Sequence, residues 1–385
     1  MSVLKVYLIA GEPSGDLLGS RLMRALKTQM KNQVRFFGVG GETMEAEGLK
    51  SLFNIKDLAV MGFMEVIPSI PKILKHLNEI VADIQRVKPD IVMTIDSYSF
   101  SARVHKKLQA IGYEKPHVHC VAPQVWAWKK GRAKKIGQFV DHLFCLLPNE
   151  AQYFEPHGMP TTFIGHPVVE GGADKGDGVS FRKKYHIPEK ATVLCVLPGS
   201  RKNEIKYLLP VFKSSVEELR RYRPDLFVVI PTVATVADRL QQNLKDWSVP
   251  YLIVTGEKER YHAFSAANIA LAASGTVSLE LAMAGVPHLI AYKVSPLTGM
   301  IARRLLKIRF VNLLNILADK EIIPELLQEN CTVEKVVATL QKLLEHPEQA
   351  TAESLQKLGL GKPYSPSDKL AEELQKLAKK KGDKK

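Results

Sequence analysis

The stretch Ile9–Gly19, IAGEPSGDLLG, decides how this chain folds. It follows the hydrophobic run Val3–Ala10, sets two glycines and a proline around two carboxylates, and then continues with leucines at helical spacing. An unbroken apolar run that changes to a 3.6-residue period is typical of a buried parallel strand leading into a helix. Gly11 and Gly15 permit a tight turn and the close approach of a ligand to the backbone. The stretch therefore predicts a strand, a ligand-facing loop and a helix of an α/β domain.

Short apolar runs alternate with amphipathic helical segments along most of the chain, which predicts βα units and parallel sheets. We expect two open, doubly wound, Rossmann-like domains that face one another across a cleft at the carboxyl ends of their strands. The predicted strands are Val3–Ala10, Val34–Gly38, Ile91–Ile95, Val118–Val121, His142–Leu146, Thr162–Ile164, Thr192–Leu197, Leu226–Pro231, Tyr251–Thr255, Ile269–Ala272 and His288–Ala291.

A chain of 385 residues suits two domains rather than one. The stretch 171–180 has no periodicity and is rich in Gly and Asp, so we interpret it as the linker between domains 1–170 and 181–365. C-terminal helices complete the second domain. Residues 366–385 are expected to form a basic, partly disordered tail.

The composition, 45% hydrophobic and 24% charged, is that of a globular protein. The net charge of +14 calls for an anionic partner: nucleic acid, an anionic membrane surface or a phosphorylated substrate. The four cysteines have no metal-ligand spacing, which indicates free thiols in a reducing cytoplasm. The most apolar long window, 268–292, contains Glu280 and Pro287 and does not fit a membrane span.

Carboxylates follow two of the predicted strands in the first half. Asp16 suits either a helix cap or a catalytic role, whereas Glu12 and Ser14 have no capping explanation. The loop lacks the GxGxxG pattern of dinucleotide-binding proteins, so we do not expect it to bind a dinucleotide. Asp96 follows a buried strand and is either a general base toward a hydroxyl or a cap of the next helix. No second acid completes a D-x-D motif, so we expect no metal and no cofactor.

Two basic segments of the chain each allow more than one interpretation. Residues 122–135 join Trp126 and Trp128 to five basic side chains, a combination that fits nucleic acid, a lipid headgroup layer or a solvated loop. Residues 294–315 alternate basic and apolar positions, which fits a membrane-surface helix or an ordinary amphipathic one. The basic side chains of this second segment are Arg303, Arg304, Lys307 and Arg309.

The second half has two turns suited to anions. Leu197–Lys202, LPGSRK, follows a strand and precedes a helix, so backbone N–H groups near Gly199 and the Arg201 guanidinium could bind an anion. Ser-Gly-Thr at 274–276 makes a similar turn. Glu280 lies one turn into the apolar helix that follows, where an unpaired charge is unfavourable. Ribose hydroxyls or an internal hydrogen bond would satisfy it.

In this order, these motifs resemble the lipid-A-disaccharide synthase family of GT-B glycosyltransferases. The matching stretches are AGEPSGD, VWAWKKGRAKKI, IGHPVVE, LPGSRKNEI, SGTVSLELAMAGVPHLIAYK and VNLLNILADKEIIPELLQ, which span about Leu8–Gln328. The opening motif and the tryptophan-basic stretch are specific to that family. The Ser-Gly-Thr/Glu element is shared more widely among GT-B enzymes.

The resemblance implies an inverting hexosyltransferase. It would move 2,3-diacylglucosamine from UDP to the 6-hydroxyl of 2,3-diacylglucosamine 1-phosphate, with Asp96 as the base. The implied ligand contacts are Gly199, Ser200 and Arg201 for the diphosphate, Ser274, Gly275 and Thr276 for the nucleotide, Glu280 for the ribose, and Asn315 and Glu321 near the donor. Around the reacting sugars, Glu12 and Asp16 would be further catalytic candidates, and Ser14 and Gly15 would bind substrate.

The chain differs from the family pattern in the segment that contains the proposed base. The family commonly has Asp-Ser-Pro-Asp-Phe-Asn where this chain has Asp-Ser-Tyr-Ser-Phe-Ser at 96–101, so Ser99 replaces a second acid. If that acid orients the base in relatives, its contribution is missing here.

The resemblance also implies a location and partners. We expect a cytoplasmic protein attached peripherally to the inner membrane through the regions of Trp126, Trp128 and Arg303–Arg309, with no nucleic-acid partner and a possible homodimer. A UDP-sugar epimerase on the same frame is the alternative enzyme. A basic nucleic-acid-binding module is suggested by charge alone and is disfavoured, because no such motif is present.

Overall fold

The computed structural model describes residues 3–59, 66–127, 131–295, 299–300, 304 and 308–380. The described chain forms two compact units. The first contains the residues up to Pro167 together with those from Gly361 onward, and the second is Val168–Leu360. Each unit carries its own parallel sheet, as the alternation of strand-like and helical segments predicts.

The first unit is built on six strands: β1 Leu4–Ala10, β2 Val34–Val39, β3 Ile91–Ile95, β4 His117–Cys120, β5 Leu143–Cys145 and β6 Thr161–Phe163. Their order in the sheet is β2-β1-β3-β4-β5-β6, and all neighbours are parallel. The winding direction reverses between β1 and β3. The loops that follow these two strands therefore flank the switch point, where doubly wound sheets bind ligands.

The helices of this unit are α1 Pro13–Gln29, α2 Glu42–Ala46, α3 Lys56–Ala59, α4 Val66–Val87, α5 Tyr98–Ala110, α6 Gly131–Ile136 and α7 Ala151–Phe154, followed by a 3₁₀ turn at Glu155–His157. Helix α1 begins inside the AGEPSGD motif, with Pro13 in its first turn. Proline is favoured there, since its fixed φ suits a helix and its missing N–H has no partner to lose.

Strand β1 is buried on both faces. Val6 and Leu8 pack with α1 on one side, whereas Tyr7 and Ile9 pack with α4 and α5 on the other. Parallel strands covered by helices on both faces have continuous apolar sequences rather than alternating ones. This explains the unbroken hydrophobic run that precedes Gly11.

The second unit has strands β7 Thr192–Leu197, β8 Leu226–Thr232, β9 Tyr251–Thr255, β10 Ile269–Ala272, β11 His288–Tyr292 and β12 Glu325–Leu327. Their order is β12-β11-β10-β7-β8-β9, again with parallel neighbours. The switch point of this sheet lies between β7 and β10. Both anion-binding turns expected from the sequence follow these two strands.

The helices of the second unit are α8 Gly178–Lys184, α9 Lys202–Tyr222, α10 Ala234–Leu244, α11 Glu257–Ala266, α12 Thr276–Met283, α13 Leu313–Ala318, α14 Val333–Glu345 and α15 Ala352–Lys357, with 3₁₀ turns at Pro167–Glu170, Ala173–Lys175 and Gln328–Asn330. Leu194 and Val196 on β7 face α9 and α14, and Val193 faces α8 and α11. This sheet too is covered on both sides.

The predicted basic tail is corrected by the structure. Residues 366–380 form helix α16, Pro366–Lys380, which packs against α1. Leu370, Ala371 and Leu374 are 0% exposed. Lys369 and Lys376 pair with Glu373 on the surface of this amphipathic helix, and its apolar face completes the core of the first unit. Residues 381–385 lie outside the described residues.

The predicted linker, residues 171–180, belongs to the second unit and packs against α11. A Cβ at Gly176 would lie 2.1 Å from the carbonyl oxygen of Tyr261, and one at Gly178 would lie 2.4 Å from that of Ser265. The Asp177 N–H donates a hydrogen bond of 2.8 Å to His262 Nδ1. The glycines of this stretch therefore permit close backbone packing rather than a free hinge.

Candidate functional site

The loops after β1 and β3 begin side by side. Ala10 pairs with Ile95 in the sheet, so Gly11 lies beside the turn that starts at Asp96. A Cβ at Gly11 would lie 2.4 Å from both Cβ and Oγ of Ser97. Glycine is required at this position because any side chain would displace the neighbouring loop.

The turn after β3 has an unusual backbone. Asp96 has φ 59° and Ser97 has φ 44°, both in the left-handed region that non-glycine residues rarely adopt. The Asp96 N–H donates to the carbonyl of Cys120 at 2.9 Å, and Ser101 Oγ donates to the carbonyl of Asp96 at 2.8 Å. Such strain persists only where the surroundings enforce it, and it concentrates at functional sites.

Two carboxylates meet at this turn through serine hydroxyls. The Ser97 N–H donates to Asp96 Oδ1 at 2.7 Å, and Ser14 Oγ donates to Asp96 Oδ2 at 3.3 Å. Ser97 Oγ donates to Glu12 Oε1 at 3.2 Å. The structure thus brings together Glu12, Ser14 and Asp96, and it adds Ser97, which the sequence analysis missed. Its position next to Asp96 is the one signal that could have indicated it.

Asp16 makes the contacts of a helix cap, the structural one of the two roles that the sequence left open. The residue is 5% exposed, and its carboxylate accepts hydrogen bonds from Gly41 N, Met44 N, Thr43 N and Thr43 Oγ1 at 2.7–3.1 Å. These four donors fasten the start of α2 to α1. A buried carboxylate with this set of partners caps a helix N-terminus, although the helix is α2 rather than its own.

Gly15 is likewise explained by packing rather than by substrate binding. It is buried, and a Cβ there would lie 3.1 Å from the carbonyl oxygen of Ile95. The absence of a side chain lets α1 approach β3 closely.

A buried polar cluster, missed from the sequence, lies next to the Asp96 turn. Thr94 Oγ1 is 2.7 Å from both His105 Nε2 and His119 Nδ1, and His105 Nδ1 is 3.1 Å from His117 Nδ1. Burial lowers the pKa of His119 to about 4 and lowers that of His105 well below its usual value. His105 and His119 are therefore neutral at physiological pH.

The tryptophan-basic stretch contributes to the same region. Trp126 is half-buried, with its indole nitrogen buried near Glu150. The Arg132 guanidinium lies 4.9 Å from the centre of the Tyr98 ring, two residues beyond Asp96. Trp128 lies outside the described residues. Arg132 thus brings the end of this stretch beside the Asp96 turn.

In the second unit, the turn after β7 differs from the expected anion-binding site. Glu204 Oε2 accepts the N–H groups of Ser200 and Arg201 at 2.9 and 3.2 Å and so caps the start of α9 from within the helix. A Cβ at Gly199, whose φ is +108°, would lie 2.4 Å from this oxygen. An internal carboxylate therefore occupies the backbone donors proposed for a ligand. The Arg201 side chain is 75% exposed, and it contacts Glu204 at 3.2 Å.

The turn after β10 leads into a helix whose N-terminus has no side-chain cap, as an anion-binding turn would require. Gly275, with φ +135°, is the N-cap of α12 and has no side chain to cap the helix. Ser274 is half-buried, and Thr276 is exposed at the first helical position. The helix thus starts at the switch point with its positive dipole end exposed.

Glu280 is paired within the protein. Arg260 Nη2 donates to Glu280 Oε1 at 2.9 Å, and Tyr261 Oη donates to the same oxygen at 3.3 Å. The Glu280 side chain is 14% exposed. The internal partner that the sequence left open is therefore present, and it comes from α11.

Asn315, which the family resemblance places near the donor, has its side-chain amide engaged within the protein. It is 0% exposed; its amide nitrogen donates to Ile323 O and Glu325 Oε1, and its oxygen accepts the N–H groups of Ile322 and Ile323, all at 2.7–2.9 Å. Glu321 is exposed and accepts the Glu325 N–H at 3.1 Å. These bonds shape the segment that leads into β12.

Asn312 lies closer to the predicted nucleotide site. Its Nδ2 donates at 2.6 Å to Ser278 Oγ in the first turn of α12, and Ser278 Oγ lies 2.8 Å from His288 Nε2. Asn312 is the first Asn of the VNLLN stretch, whereas the family resemblance drew attention to the second.

The structure describes two of the four basic side chains of segment 294–315. Arg304 is exposed, and the exposed Arg309 guanidinium lies 4.9 Å from the centre of the Phe310 ring. Arg303 and Lys307 lie outside the described residues. Within the described ranges, no helix combines the length and hydropathy needed to cross a bilayer, and no three His, Cys, Asp or Glu side chains are grouped to hold a metal.

The sequence matches a family model described as lipid-A-disaccharide synthetase over residues 6–376. A lipid-A-disaccharide synthase of Paramagnetospirillum magneticum is 50% identical over 365 residues, which cover 92% of this chain and 93% of that protein. A lipid-A-disaccharide synthase of Rickettsia felis is 41% identical, and the match covers 94% of each chain.

Solved structures support the fold. The UDP-GlcNAc 2-epimerase of Neisseria meningitidis matches with a TM-score of 0.62 at 14% identity, covering 97% of this chain and 100% of that one. The glycotransferase of kitacinnamycin matches with a TM-score of 0.64 at 15% identity, covering 98% and 100%. At these identities the likeness concerns the fold alone, so the epimerase alternative gains nothing from it. By its matching family model and its relatives, the chain belongs to the lipid-A-disaccharide synthase family of glycosyltransferases.

Proposed function

We propose that the chain condenses UDP-2,3-diacylglucosamine with 2,3-diacylglucosamine 1-phosphate, giving the tetraacyl disaccharide 1-phosphate and UDP. The observation that carries the site assignment is the position of Asp96. Its carboxylate lies on a strained turn at the switch point of the first sheet, bonded to Ser14 and to the Ser97 N–H. Family membership supports the reaction.

Asp96 acts as the general base. It accepts the proton of the acceptor 6-hydroxyl while that oxygen forms a bond to the anomeric carbon of the donor, whose bond to UDP breaks with inversion. Ser14 and the Ser97 N–H each bind one carboxylate oxygen and fix the orientation of the base. Glu12, bonded to the Ser97 hydroxyl, places a second carboxylate beside the turn.

The second unit binds the donor. Because Glu204 occupies the Ser200 and Arg201 N–H groups, the diphosphate is bound by the Arg201 guanidinium and the N-terminus of α12 at Ser274–Thr276. Positive charge at these points stabilises the departing UDP. Glu280 accepts the ribose hydroxyls.

The chain attaches peripherally to an anionic membrane. The net charge of +14 and the exposed Arg304 and Arg309 support this. Sedimentation with vesicles containing anionic lipid, and release by salt, would be expected. Failure to bind at low salt would contradict it. Assembly as a homodimer remains a prediction for analytical ultracentrifugation.

The reaction is tested by incubating the purified protein in detergent with the donor and a radiolabelled acceptor. We expect disaccharide and UDP in equal amounts, and no donor turnover when the acceptor is omitted. Donor turnover without acceptor, yielding an altered UDP-sugar, would instead identify an epimerase.

A further inference from the structure

Helix α11 supplies the groups that hold Glu280. Arg260 Nη2 donates to Glu280 Oε1 at 2.9 Å. Tyr261 Oη lies 3.3 Å from the same oxygen and 2.9 Å from Glu257 Oε1. Arg260 is therefore the main donor to Glu280, and the Tyr261 hydroxyl, whose shorter contact is to Glu257, lies beside the same oxygen.

Glu280 lies on the same face of α12 as the exposed start of the helix. Glu280 follows Thr276 by four residues, so both lie on one face of the helix. Thr276 is exposed at the switch point of the second sheet. The two side chains thus form one polar stripe that runs inward from the exposed end of the helix.

The contact with Arg260 is not explained by fold stability alone. The Arg260 side chain is 25% exposed, and its Nε is buried without a hydrogen-bond partner among the described residues. An unsatisfied buried donor destabilises a fold, and two apolar side chains in place of a buried ion pair are often as stable or more so. The ion pair between Arg260 and Glu280 is kept beside the proposed nucleotide turn despite the cost of the unsatisfied Arg260 Nε. This indicates that the Arg260 charge has a functional role.

We propose that Arg260 and Tyr261 are positioning residues that make Glu280 selective for a ribonucleotide. Arg260 places a positive charge against the Glu280 carboxylate and holds it at the orientation in which it accepts the ribose hydroxyls, and the Tyr261 hydroxyl lies beside the same oxygen. Selectivity follows because a deoxyribose lacks one of the hydroxyls that would donate to this carboxylate. The inference rests on the proposed contact between Glu280 and the ribose.

The experiment measures dissociation constants of the full-length protein for UDP and for its 2′-deoxy and 3′-deoxy analogues by calorimetry. The wild type should prefer UDP over at least one analogue by about tenfold or more, the effect of one charge-assisted hydrogen bond. Arg260→Met should reduce that preference to about threefold or less. Lys258→Met, which removes an exposed positive charge from the same helix, should leave it unchanged.

Two further variants cover the case in which Arg260→Met does not fold. Arg260→Lys keeps the charge but not the guanidinium geometry, and Tyr261→Phe removes one hydroxyl. Each should lower the preference while retaining UDP binding. A wild type with no preference would refute the ribose contact itself. A preference that persists in every folded Arg260 and Tyr261 variant would refute the positioning role and leave the ribose contact intact.

Discussion

Ser97 Oγ donates a hydrogen bond of 3.2 Å to Glu12 Oε1, which joins two loops that are 85 residues apart in the sequence. Because the Ser97 N–H also binds Asp96, one residue connects both carboxylates of the proposed site. The loops themselves are adjacent because β1 and β3 are paired.

Ser97→Ala keeps the N–H bond to Asp96 and removes the hydroxyl bond to Glu12. We expect kcat to fall about tenfold, the equivalent of one hydrogen bond, with little change in KM for the donor. Steady-state kinetics check this, with the exposed Ser99→Ala as the matched control. Equal kcat values for wild type and both variants would remove Glu12 from the catalytic cluster.

Asp16→Asn should lower stability rather than the chemical rate. The amide would place an N–H₂ group against the donors of Gly41, Thr43 and Met44, so we expect a loss of about 2 to 4 kcal/mol in the free energy of unfolding. Urea denaturation measures the loss, and kcat per folded molecule should stay within about twofold of wild type. A stable variant with a greatly reduced kcat would support the catalytic role of Asp16.

Arg201→Ala should raise KM for the donor and slow the departure of UDP, because the guanidinium rather than the backbone offers the positive charge. A loss of about 30-fold or more in kcat/KM is expected for a charge-assisted bidentate contact. Arg221→Ala is the control, since Arg221 is also an exposed arginine of α9 paired with a glutamate three residues away. Matching kinetics for the two variants would place the diphosphate elsewhere.

Glu150 gives the first unit a pH dependence. The residue is 4% exposed, and burial raises the pKa of its carboxyl from 4.5 to about 7, against the opposing effect of the Leu146 and Leu147 N–H groups. Between these pH values the unfolded chain has lost the proton that the folded chain retains, so stability falls as pH rises from about 4.5 to about 7.

Glu150→Gln removes this titration, and its amide oxygen can accept both N–H groups. The variant should therefore gain stability over wild type as pH rises, by about 3 kcal/mol above pH 7 relative to low pH. Urea denaturation at pH 5 and pH 8 measures the gain, with the exposed Glu155→Gln as control. A difference from wild type that is the same at both pH values would contradict the assignment.

The sequence predicts the framework of both sheets because a buried parallel strand and an amphipathic helix each leave a periodic pattern. It also places the loops after β1, β3, β7 and β10, since the Gly-rich turns follow the apolar runs directly. Strand β12 is missed: it has only three residues, and hydrogen bonds to Asn315 and Glu321 set its start. No local pattern encodes such contacts.

The roles of individual polar residues depend on partners that are distant in sequence. Asp16 resembles a catalytic acid until Gly41 and Thr43 are seen to bind it, 25 and 27 residues away. The same holds for Asn315, whose side-chain amide is fully hydrogen-bonded to Ile322, Ile323 and Glu325. Glu204 changes the donor site by occupying two backbone N–H groups, although its spacing from Arg201 is common for a glutamate that caps the start of its own helix.

The most direct test of the account compares wild type with Asp96→Asn, using UDP-2,3-diacylglucosamine and radiolabelled 2,3-diacylglucosamine 1-phosphate in detergent. The amide can still accept one hydrogen bond but cannot take a proton, so the account predicts disaccharide from the wild type and a loss of about 100-fold or more in kcat for the variant. Donor binding and the denaturation midpoint should be retained. An Asp96→Asn enzyme with most of the wild-type rate would contradict the assignment of the base.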